Sequence, residues 1–362
     1  MLHIFGKAGR PHLLAASFVV LGALAACRPQ TEASVTQPTL TPAPATATTT
    51  PQVASPPQPI IVVTAAEPAT PTSIATSAPD TLSTSTPGED TVPVTETPPP
   101  PTFTPPPPPP ALTGEHLWLQ RPVPTSGPAW TDKSYPYGST RGGTLRPHTG
   151  VEFVVPTGTP VLATAAGTVV AAGDDATTAY GPQTNFYGNL VVLELDNNSG
   201  GAPLFALYGH LSEVQVAVGQ TVAAGDVLGL SGASGVADGP HLHFEVRVGE
   251  NSYYTTRNPL LWLVPLPGTG VVAGRVTGPN GEPLYEAPVT LVRIDAPAPY
   301  TATTTYANGE PNSDGVMNEN FAVDDVVPGF YEAIVDAGDR RFTTELWVYP
   351  GRTNWVEIVV AP

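Results

Sequence analysis

Five residues of types that can bind metals or transfer protons fall in three short motifs of this 362-residue chain. They are His148, Glu152, His210, His241 and His243. His241 and His243 are two positions apart, so on an extended strand their side chains project to the same face. Two histidines and one carboxylate bind zinc with a fourth position open for water, which is the coordination of a hydrolytic zinc site. The two remaining histidines are candidates for proton transfer or for stabilising an oxyanion.

Each motif alone also has a simpler interpretation. The His-x-x-x-Glu spacing of His148 and Glu152 is common on solvated surfaces, and His210 after Tyr-Gly is typical of a hydrogen-bonded turn. The Gly-Pro-His-Leu-His run is more specific, because burying two histidines on one face of an apolar strand has a desolvation cost. A structural zinc site is disfavoured, since such sites use four ligands and are often rich in cysteine. The one cysteine, Cys27, lies far away near the N-terminus.

The segments that carry these motifs have the composition of β-strands. Runs rich in Val, Leu and aromatic residues, bounded by Gly, Pro or Asp, predict strands over 167–172, 190–195, 204–209 and 241–248. A weak repeat relates residues 158–169 to residues 219–227, each with Gly-x-x-Val followed by a glycine turn. Duplicated hairpins of this kind favour a compact antiparallel β-sandwich. Residues 173–186 are expected to form a loop beside the site.

In this order the motifs resemble the lysostaphin-type zinc endopeptidases, which cut peptidoglycan cross-bridges or stem peptides. The resemblance covers residues 148–245 and includes His-x-Gly at 148–150 and Tyr-Gly-Asn at 187–189. It also includes Tyr-Gly-His-Leu at 208–211 and Gly-Pro-His-Leu-His-Phe at 239–244. It implies the all-β, antiparallel sandwich fold of the duplicated-hybrid-motif type and a Zn²⁺ cofactor.

The resemblance also implies roles for individual residues. His148, Glu152 and His243 correspond to the metal ligands, and His210 and His241 to the catalytic pair. Asn189 and Tyr208 belong to motifs that line the substrate cleft.

Glu152 departs from the family pattern, which has aspartate at this position. Glutamate ligates zinc through the same oxygen chemistry, but its extra methylene moves the carboxylate outward. An inactive relative that binds wall peptides or activates another hydrolase is therefore an alternative to the enzyme. The four retained histidines favour the enzyme.

Residues 1–27 have the pattern of a bacterial lipoprotein signal peptide. Lys7 and Arg10 precede an apolar stretch too short for a transmembrane helix, and Leu-Ala-Ala leads directly to Cys27. We expect cleavage before Cys27 and lipidation of its thiol, which would anchor an extracytoplasmic protein to a membrane. The alternative is a plain secretory signal with an incidental cysteine.

Residues 28–112 predict a disordered tether. The segment is composed mainly of Pro, Thr, Ala and Ser and ends in six consecutive prolines, Pro105–Pro110. Such a composition buries too little apolar surface to fold, and its prolines favour polyproline II. The peptidase domain is expected to follow over residues 113–266.

Residues 270–362 predict a second domain. Strand-like runs over 271–276 and 287–291 flank an Asn-Gly turn at 280–281, and further strands are predicted at 326–331, 342–349 and 353–360. The segment resembles carboxypeptidase-regulatory-type, transthyretin-like domains, which implies a seven-stranded β-sandwich. No catalytic cluster marks it, and its partner is not specified by the sequence.

The net charge of −17 argues against nucleic acid as a partner. Three hypotheses follow. The first is a lipid-anchored zinc endopeptidase acting on peptidoglycan peptides. The second is the inactive relative, and the third is a surface adhesion protein in which the C-terminal domain binds and the enzyme-like fold is a scaffold.

Overall fold

The computed structural model describes residues 103–296 and 298–360. The predicted signal peptide, Cys27 and most of the predicted tether lie outside these residues. In the described part of the chain no helix is long and apolar enough to cross a membrane. All described residues belong to one compact unit.

The first part of the described chain is a nine-stranded sheet, which confirms the all-β prediction. Its strands are β1 (Val151–Phe153), β2 (Pro160–Leu162), β3 (Gly167–Asp174), β4 (Asn189–Ser199), β5 (Ala202–Val214), β6 (Thr221–Val222), β7 (Val227–Ser231), β8 (Leu242–Val248) and β9 (Thr256–Arg257). The main path runs β1-β8-β5-β4-β3-β6, with β7 joining β2 to β5 and β9 pairing with β8. Two short 3₁₀ helices, Tyr253–Thr255 and Pro259–Leu261, close this part of the chain.

The sequence repeat corresponds to two structural units that exchange strands. Each unit begins with a glycine in the left-handed region, Gly158 at φ 89° and Gly219 at φ 87°, where a side chain would be strained. The strand after each glycine then pairs with the second strand of the other unit, β2 with β7 and β3 with β6. This mutual pairing explains why the two segments share one pattern.

The centre of this sheet is buried on both faces. On β4, Val191 and Leu193 pack into the main apolar core, whereas Leu190 and Val192 pack into a smaller cluster on the opposite face. Burial of both faces explains the nearly continuous apolar run of this strand. Such a sheet is a rigid support for side chains at its edge.

The C-terminal part of the chain is a sandwich of a three-stranded and a four-stranded sheet, which confirms the seven-stranded prediction. Its strands are β10 (Gly270–Thr277), β11 (Pro288–Arg293), β12 (Thr301–Thr304), β13 (Phe321–Val326), β14 (Gly329–Ala337), β15 (Arg340–Val348) and β16 (Thr353–Val359). The sheets have the orders β13-β10-β16 and β12-β11-β14-β15. Apolar residues of both sheets, including Val276, Leu291, Phe321 and Val335, form one core.

The strands that flank the Asn280-Gly281 turn lie in different sheets. The turn forms as expected, with Gly281 N donating to Gly278 O at 3.0 Å. However, β10 pairs with β13 and β16, whereas β11 pairs with β12 and β14. The turn closes a short hairpin, in which Gly278 N donates to Glu282 O at 2.8 Å and Leu284 N donates to Val276 O at 3.0 Å. The residues between Leu284 and β11 then cross from one sheet to the other.

The two parts of the chain share an apolar core and buried ion pairs. Leu261 and Trp262 belong to the same cluster as Met317 and Ala322 of the C-terminal sandwich. The Arg121 guanidinium, buried in this contact, donates to Asp324 at 3.0 Å. A buried charge pair requires close and fixed geometry, so the two parts are packed together as one body.

The described end of the predicted tether lies extended along the C-terminal sandwich. Tyr349 Oη donates to Pro106 O at 2.9 Å, and the Arg352 guanidinium donates to Pro109 O at 2.6 Å and to Pro110 O at 2.7 Å. Proline has no N–H, so an extended proline run offers only carbonyl acceptors. Arginine and tyrosine supply the matching donors.

Candidate metal centre

The pairing of β1 with β8 places Glu152 directly opposite His243. Val151 and Phe153, on either side of Glu152, are buried in the core, so the alternation of the strand turns Glu152 to the other face. His148 lies four residues upstream, just before β1. Three residues from two distant segments thus meet at one edge of the sheet.

The three side chains converge on one point. Glu152 Oε1 lies 2.9 Å from His148 Nε2 and 3.0 Å from His243 Nδ1. One ligand atom from each residue lies within 4.8 Å of the others. Ligands of a tetrahedral zinc ion at about 2.0–2.1 Å are about 3.3 Å apart, so only small movements separate this arrangement from a zinc site.

Hydrogen bonds on the far sides of the two imidazoles determine which nitrogens face the centre. His148 Nδ1 is 2.7 Å from Tyr135 O, and a carbonyl only accepts, so Nδ1 carries the proton. His243 Nε2 is 3.1 Å from the Glu245 carboxylate and donates to it. In the neutral imidazoles, His148 Nε2 and His243 Nδ1 then present lone pairs towards Glu152. Two imidazole lone pairs and one carboxylate oxygen that face one another can together coordinate a cation.

The electrostatics of the centre also favour a cation. Burial lowers the pKa of His243, but Glu152 and Glu245 outweigh burial and raise it to about 10. Burial raises the pKa of Glu152, but His243 and His148 outweigh burial and hold it well below 4.5. Glu152 Oε2 is buried without a hydrogen-bond donor, although His241 Nε2 lies 3.2 Å away. An unsatisfied buried carboxylate oxygen is costly unless a cation or donor reaches it, and the residues present therefore fit a bound Zn²⁺.

His210 and His241 lie beside this centre with their rings 4.8 Å apart. His210 Nδ1 donates to Ser234 O at 2.7 Å, and His241 Nδ1 donates to Gly239 O at 2.8 Å. In each ring the backbone carbonyl bonds Nδ1, so Nε2 is the nitrogen that can contact a substrate or a water molecule. His210 adopts φ 61°, which is uncommon for a residue with a side chain and marks a constrained position.

His210 is neutral at ordinary pH. Burial, followed by the charge of His243, lowers its pKa to about 4. A neutral imidazole with Nδ1 bound to a carbonyl has a lone pair on Nε2, so it accepts protons.

One open cavity of about 490 Å³ contains all five residues that the three motifs singled out. Tyr135, Arg141, Phe186 and Tyr253 also line it. The five residues that the sequence motifs singled out therefore line the same cavity.

Asn189 and Tyr208 lie elsewhere. The Asn189 side chain donates to Leu211 O at 3.1 Å and is not among the residues that line the cavity. Tyr208 is fully buried in the core, with its hydroxyl 2.8 Å from Thr164 Oγ1. Both side chains bond other protein groups, and neither is among the residues that line the cavity.

Two residues next to the centre were not singled out by the sequence motifs. Glu245 is fully buried and accepts from His243, Thr149 and Tyr187. Burial raises its pKa, but Arg247 and His243 outweigh burial and lower it to about 2. The alternation that marks His241 and His243 continues to Glu245, so a signal was present. Tyr135 acts through its carbonyl, which every residue has, so no side-chain pattern marks it.

Residues 146–255 match the model of peptidase family M23. This segment is a lysostaphin-type M23 peptidase domain. An uncharacterized metalloprotease of Haemophilus influenzae is 38% identical over 151 residues, which are 42% of this chain and 27% of that protein. Lysostaphin of Staphylococcus simulans is 36% identical over 143 residues, 40% of this chain and 26% of that protein. The peptidoglycan DD-endopeptidase ShyA of Vibrio cholerae is 37% identical over 104 residues, 29% of this chain and 21% of that protein.

The chain thus spans about a quarter of the length of these curated relatives. The M23 match contains the three residues of the centre and the two histidines beside it, and it ends before the C-terminal sandwich.

Proposed function

We propose that the chain is a zinc-dependent endopeptidase that hydrolyses peptide bonds in peptidoglycan from a lipid-anchored, extracytoplasmic position. The observation that carries the proposal is the convergence of His148 Nε2, Glu152 Oε1 and His243 Nδ1 inside an M23 domain. One of the similar proteins is itself named a peptidoglycan endopeptidase, which supports a wall peptide as substrate.

His148, Glu152 and His243 would hold the metal. A bound zinc ion would lower the pKa of a water molecule and polarise the carbonyl of the scissile peptide bond. Tyr135 O and Glu245 keep the two imidazoles oriented and fix which nitrogen of each faces the centre.

His210 and His241 would handle protons and charge. Neutral His210, with Nδ1 bound to Ser234 O, presents Nε2 as an acceptor for a proton of the attacking water. His241 lies on the Glu152 side of the pair, with Nδ1 bonded to Gly239 O, so as the imidazolium cation it would donate from Nε2 to the oxygen that becomes negative during attack or to the leaving amine. Their neighbouring rings allow both roles at one scissile bond.

The proposed anchor is the lipidated Cys27, with residues 28–102 as the spacer between the membrane and the enzyme. This part of the proposal depends on the sequence pattern of residues 1–27 alone. Mass spectrometry of the full-length protein from a bacterial host tests it. An N-terminal peptide starting at lipid-modified Cys27 would support the anchor, and unmodified Cys27 would refute it.

The inactive relative is the second candidate, since Glu152 stands where the family has aspartate. Its side chain nevertheless reaches both histidines, so the longer arm does not by itself prevent ligation. An assay of amino termini released from purified peptidoglycan, run with the full-length chain and with His210→Ala, tests the activity. Release of amino termini by the wild type alone supports the enzyme, and release by neither protein supports the inactive relative.

A further inference from the structure

We infer that the C-terminal sandwich is part of the catalytic apparatus, because Glu286 positions the segment that holds His148. The inference rests on the proposed function for the role of His148, and on contacts of the described residues for the rest. Glu286 acts through other residues, so it is a positioning residue.

The first link joins His148 to residues 135–139. Tyr135 O accepts from His148 Nδ1 at 2.7 Å, and the Tyr135 ring stacks on the imidazole at 4.2 Å with an interplanar angle of 5°. His148 N donates to Ser139 O at 3.0 Å, and Gly138 N donates to His148 O at 2.7 Å. The backbone, ring plane and tautomer of His148 are all determined by this short segment.

The second link joins the same segment to the C-terminal sandwich. Glu286 Oε1 accepts from Thr140 N at 2.7 Å and from Thr140 Oγ1 at 2.5 Å. Ala307 N donates to Gly138 O at 2.8 Å. Asn312 N donates to the Tyr137 hydroxyl at 3.1 Å. Three separate positions of the sandwich therefore bond residues 137–140.

Gly138 shows how close this contact is. Its φ of 81° favours glycine, and a Cβ added there would lie 2.5 Å from the Tyr306 ring. The Tyr306 ring thus occupies the space of the missing side chain. The C-terminal sandwich lies directly against the backbone that hydrogen-bonds His148.

The backbone of Glu286 is itself constrained. Glu286 adopts φ 48°, a left-handed conformation that is unfavourable for a residue with a side chain. It persists because the surrounding contacts outweigh that cost, and these contacts include the two bonds from Thr140. In this conformation the carboxylate bonds Thr140, six residues before the M23 match begins.

The consequence concerns metal binding. Removing a group that hydrogen-bonds a metal ligand typically lowers the metal affinity by about 10–100-fold. Glu286 acts less directly, because it bonds Thr140, the neighbour of Ser139, whose carbonyl accepts from His148 N. We therefore expect the lower end of that range. Displacement of residues 135–140 would also change the cleft, since Tyr135 and Arg141 line it.

The test compares Glu286→Ala and Glu286→Gln with Glu345→Ala, which removes an exposed glutamate on β15 of the same sandwich. Zinc affinity of the full-length chain in detergent is measured by competition with a chromophoric chelator. We expect Glu286→Ala to weaken zinc about tenfold, and Glu286→Gln to weaken it less because its amide oxygen still accepts. Glu345→Ala should bind as the wild type does.

A second readout is independent of the metal. In the zinc-free chain, amide hydrogen exchange of the peptide covering residues 135–148 should accelerate in Glu286→Ala and not in Glu345→Ala. If Glu286→Ala does not fold, Glu286→Asp replaces it, since the shorter arm withdraws the carboxylate from Thr140 and leaves the bond from Gly143 N to the Thr140 hydroxyl in place.

The outcomes separate the two claims. Unchanged zinc affinity and unchanged exchange in the Glu286 variants would overturn the inference even if the wild type is an active zinc enzyme. A wild-type chain that binds no zinc would overturn the proposed function, whereas faster exchange in Glu286→Ala would still support the positioning role.

Discussion

Glu152 and His243 lie directly opposite each other on β1 and β8, with Glu152 Oε1 3.0 Å from His243 Nδ1. The strand register therefore sets the distance that the carboxylate must span, and the glutamate arm spans it. The same oxygen reaches His148 Nε2 at 2.9 Å. A site adapted to glutamate at this position is consistent with both distances.

The first prediction is that Glu152→Asp weakens zinc binding or slows turnover. The shorter side chain withdraws the carboxylate by about one methylene from a centre whose histidines are fixed by Tyr135 and Glu245, and displacements of about 1 Å have cost about 10²-fold in other enzymes. Zinc affinity and release of wall peptides are the measurements. Tighter zinc binding together with a rise in activity from near zero would show instead that glutamate had disabled an aspartate site.

The second prediction separates ligands from proton-transfer groups. His210→Ala and His241→Ala should retain zinc but lose peptidoglycan hydrolysis by a factor of about 10²–10⁴, the usual contribution of a positioned acid, base or oxyanion donor. Elemental analysis and a hydrolysis assay on the same preparation check both parts. Loss of zinc in either variant would contradict the assigned roles.

The third prediction concerns Glu245. Glu245→Gln should weaken zinc binding by about 10–100-fold, because the amide no longer anchors His243 Nε2 with a full charge. It should also lower the melting temperature, since Arg247 becomes a buried charge without its partner, a loss that typically costs about 3–5 kcal/mol. Calorimetry and chelator competition measure the two effects. A folded Glu245→Gln variant that binds zinc as tightly as the wild type would contradict this role of Glu245.

The fourth prediction is a pH dependence of stability from Glu319 in the C-terminal sandwich. Burial raises the pKa of Glu319 from 4.5 to about 7. The folded state therefore binds more protons than the unfolded state between these values, and the free energy of unfolding falls as pH rises from about 4.5 to about 7. The fall from this group is about 3 kcal/mol, at about 1.4 kcal/mol per pKa unit.

Glu319→Gln should remove that part of the pH dependence, since glutamine does not ionise. Denaturant unfolding at pH 4.5, 6 and 8 checks it, with Glu345→Ala as the control that should keep the wild-type slope. Equal pH slopes in Glu319→Gln and the wild type would contradict the raised pKa.

Much of the fold was predictable because it follows from local sequence patterns. The apolar runs predicted β3, β4, β5 and β8. The weak repeat predicted duplicated hairpins, and the duplication is present, but β2 pairs with β7 and β3 with β6, so each strand pairs with the other unit. Five of the residues that line the cavity were singled out from residue type and spacing.

What the sequence did not indicate depends on contacts between distant segments. The Asn-Gly turn closes only a short hairpin, and the longer strands β10 and β11 pair instead with β13 and β14, which are far along the chain. The role of Tyr135 depends on a backbone carbonyl, and that of Glu286 on packing between the two sandwiches. Neither leaves a side-chain pattern that spacing could reveal.

The most direct test of the account is the zinc content of the full-length chain, purified after growth with adequate zinc, beside His148→Ala and His243→Ala. We expect about one zinc per wild-type chain and none in either variant, because a three-ligand site rarely survives the loss of a ligand. His116→Gln serves as the control, since His116 is buried against Trp262 away from the centre and should leave the zinc in place. A wild-type chain without zinc, or variants that retain it, would contradict the proposed metal centre.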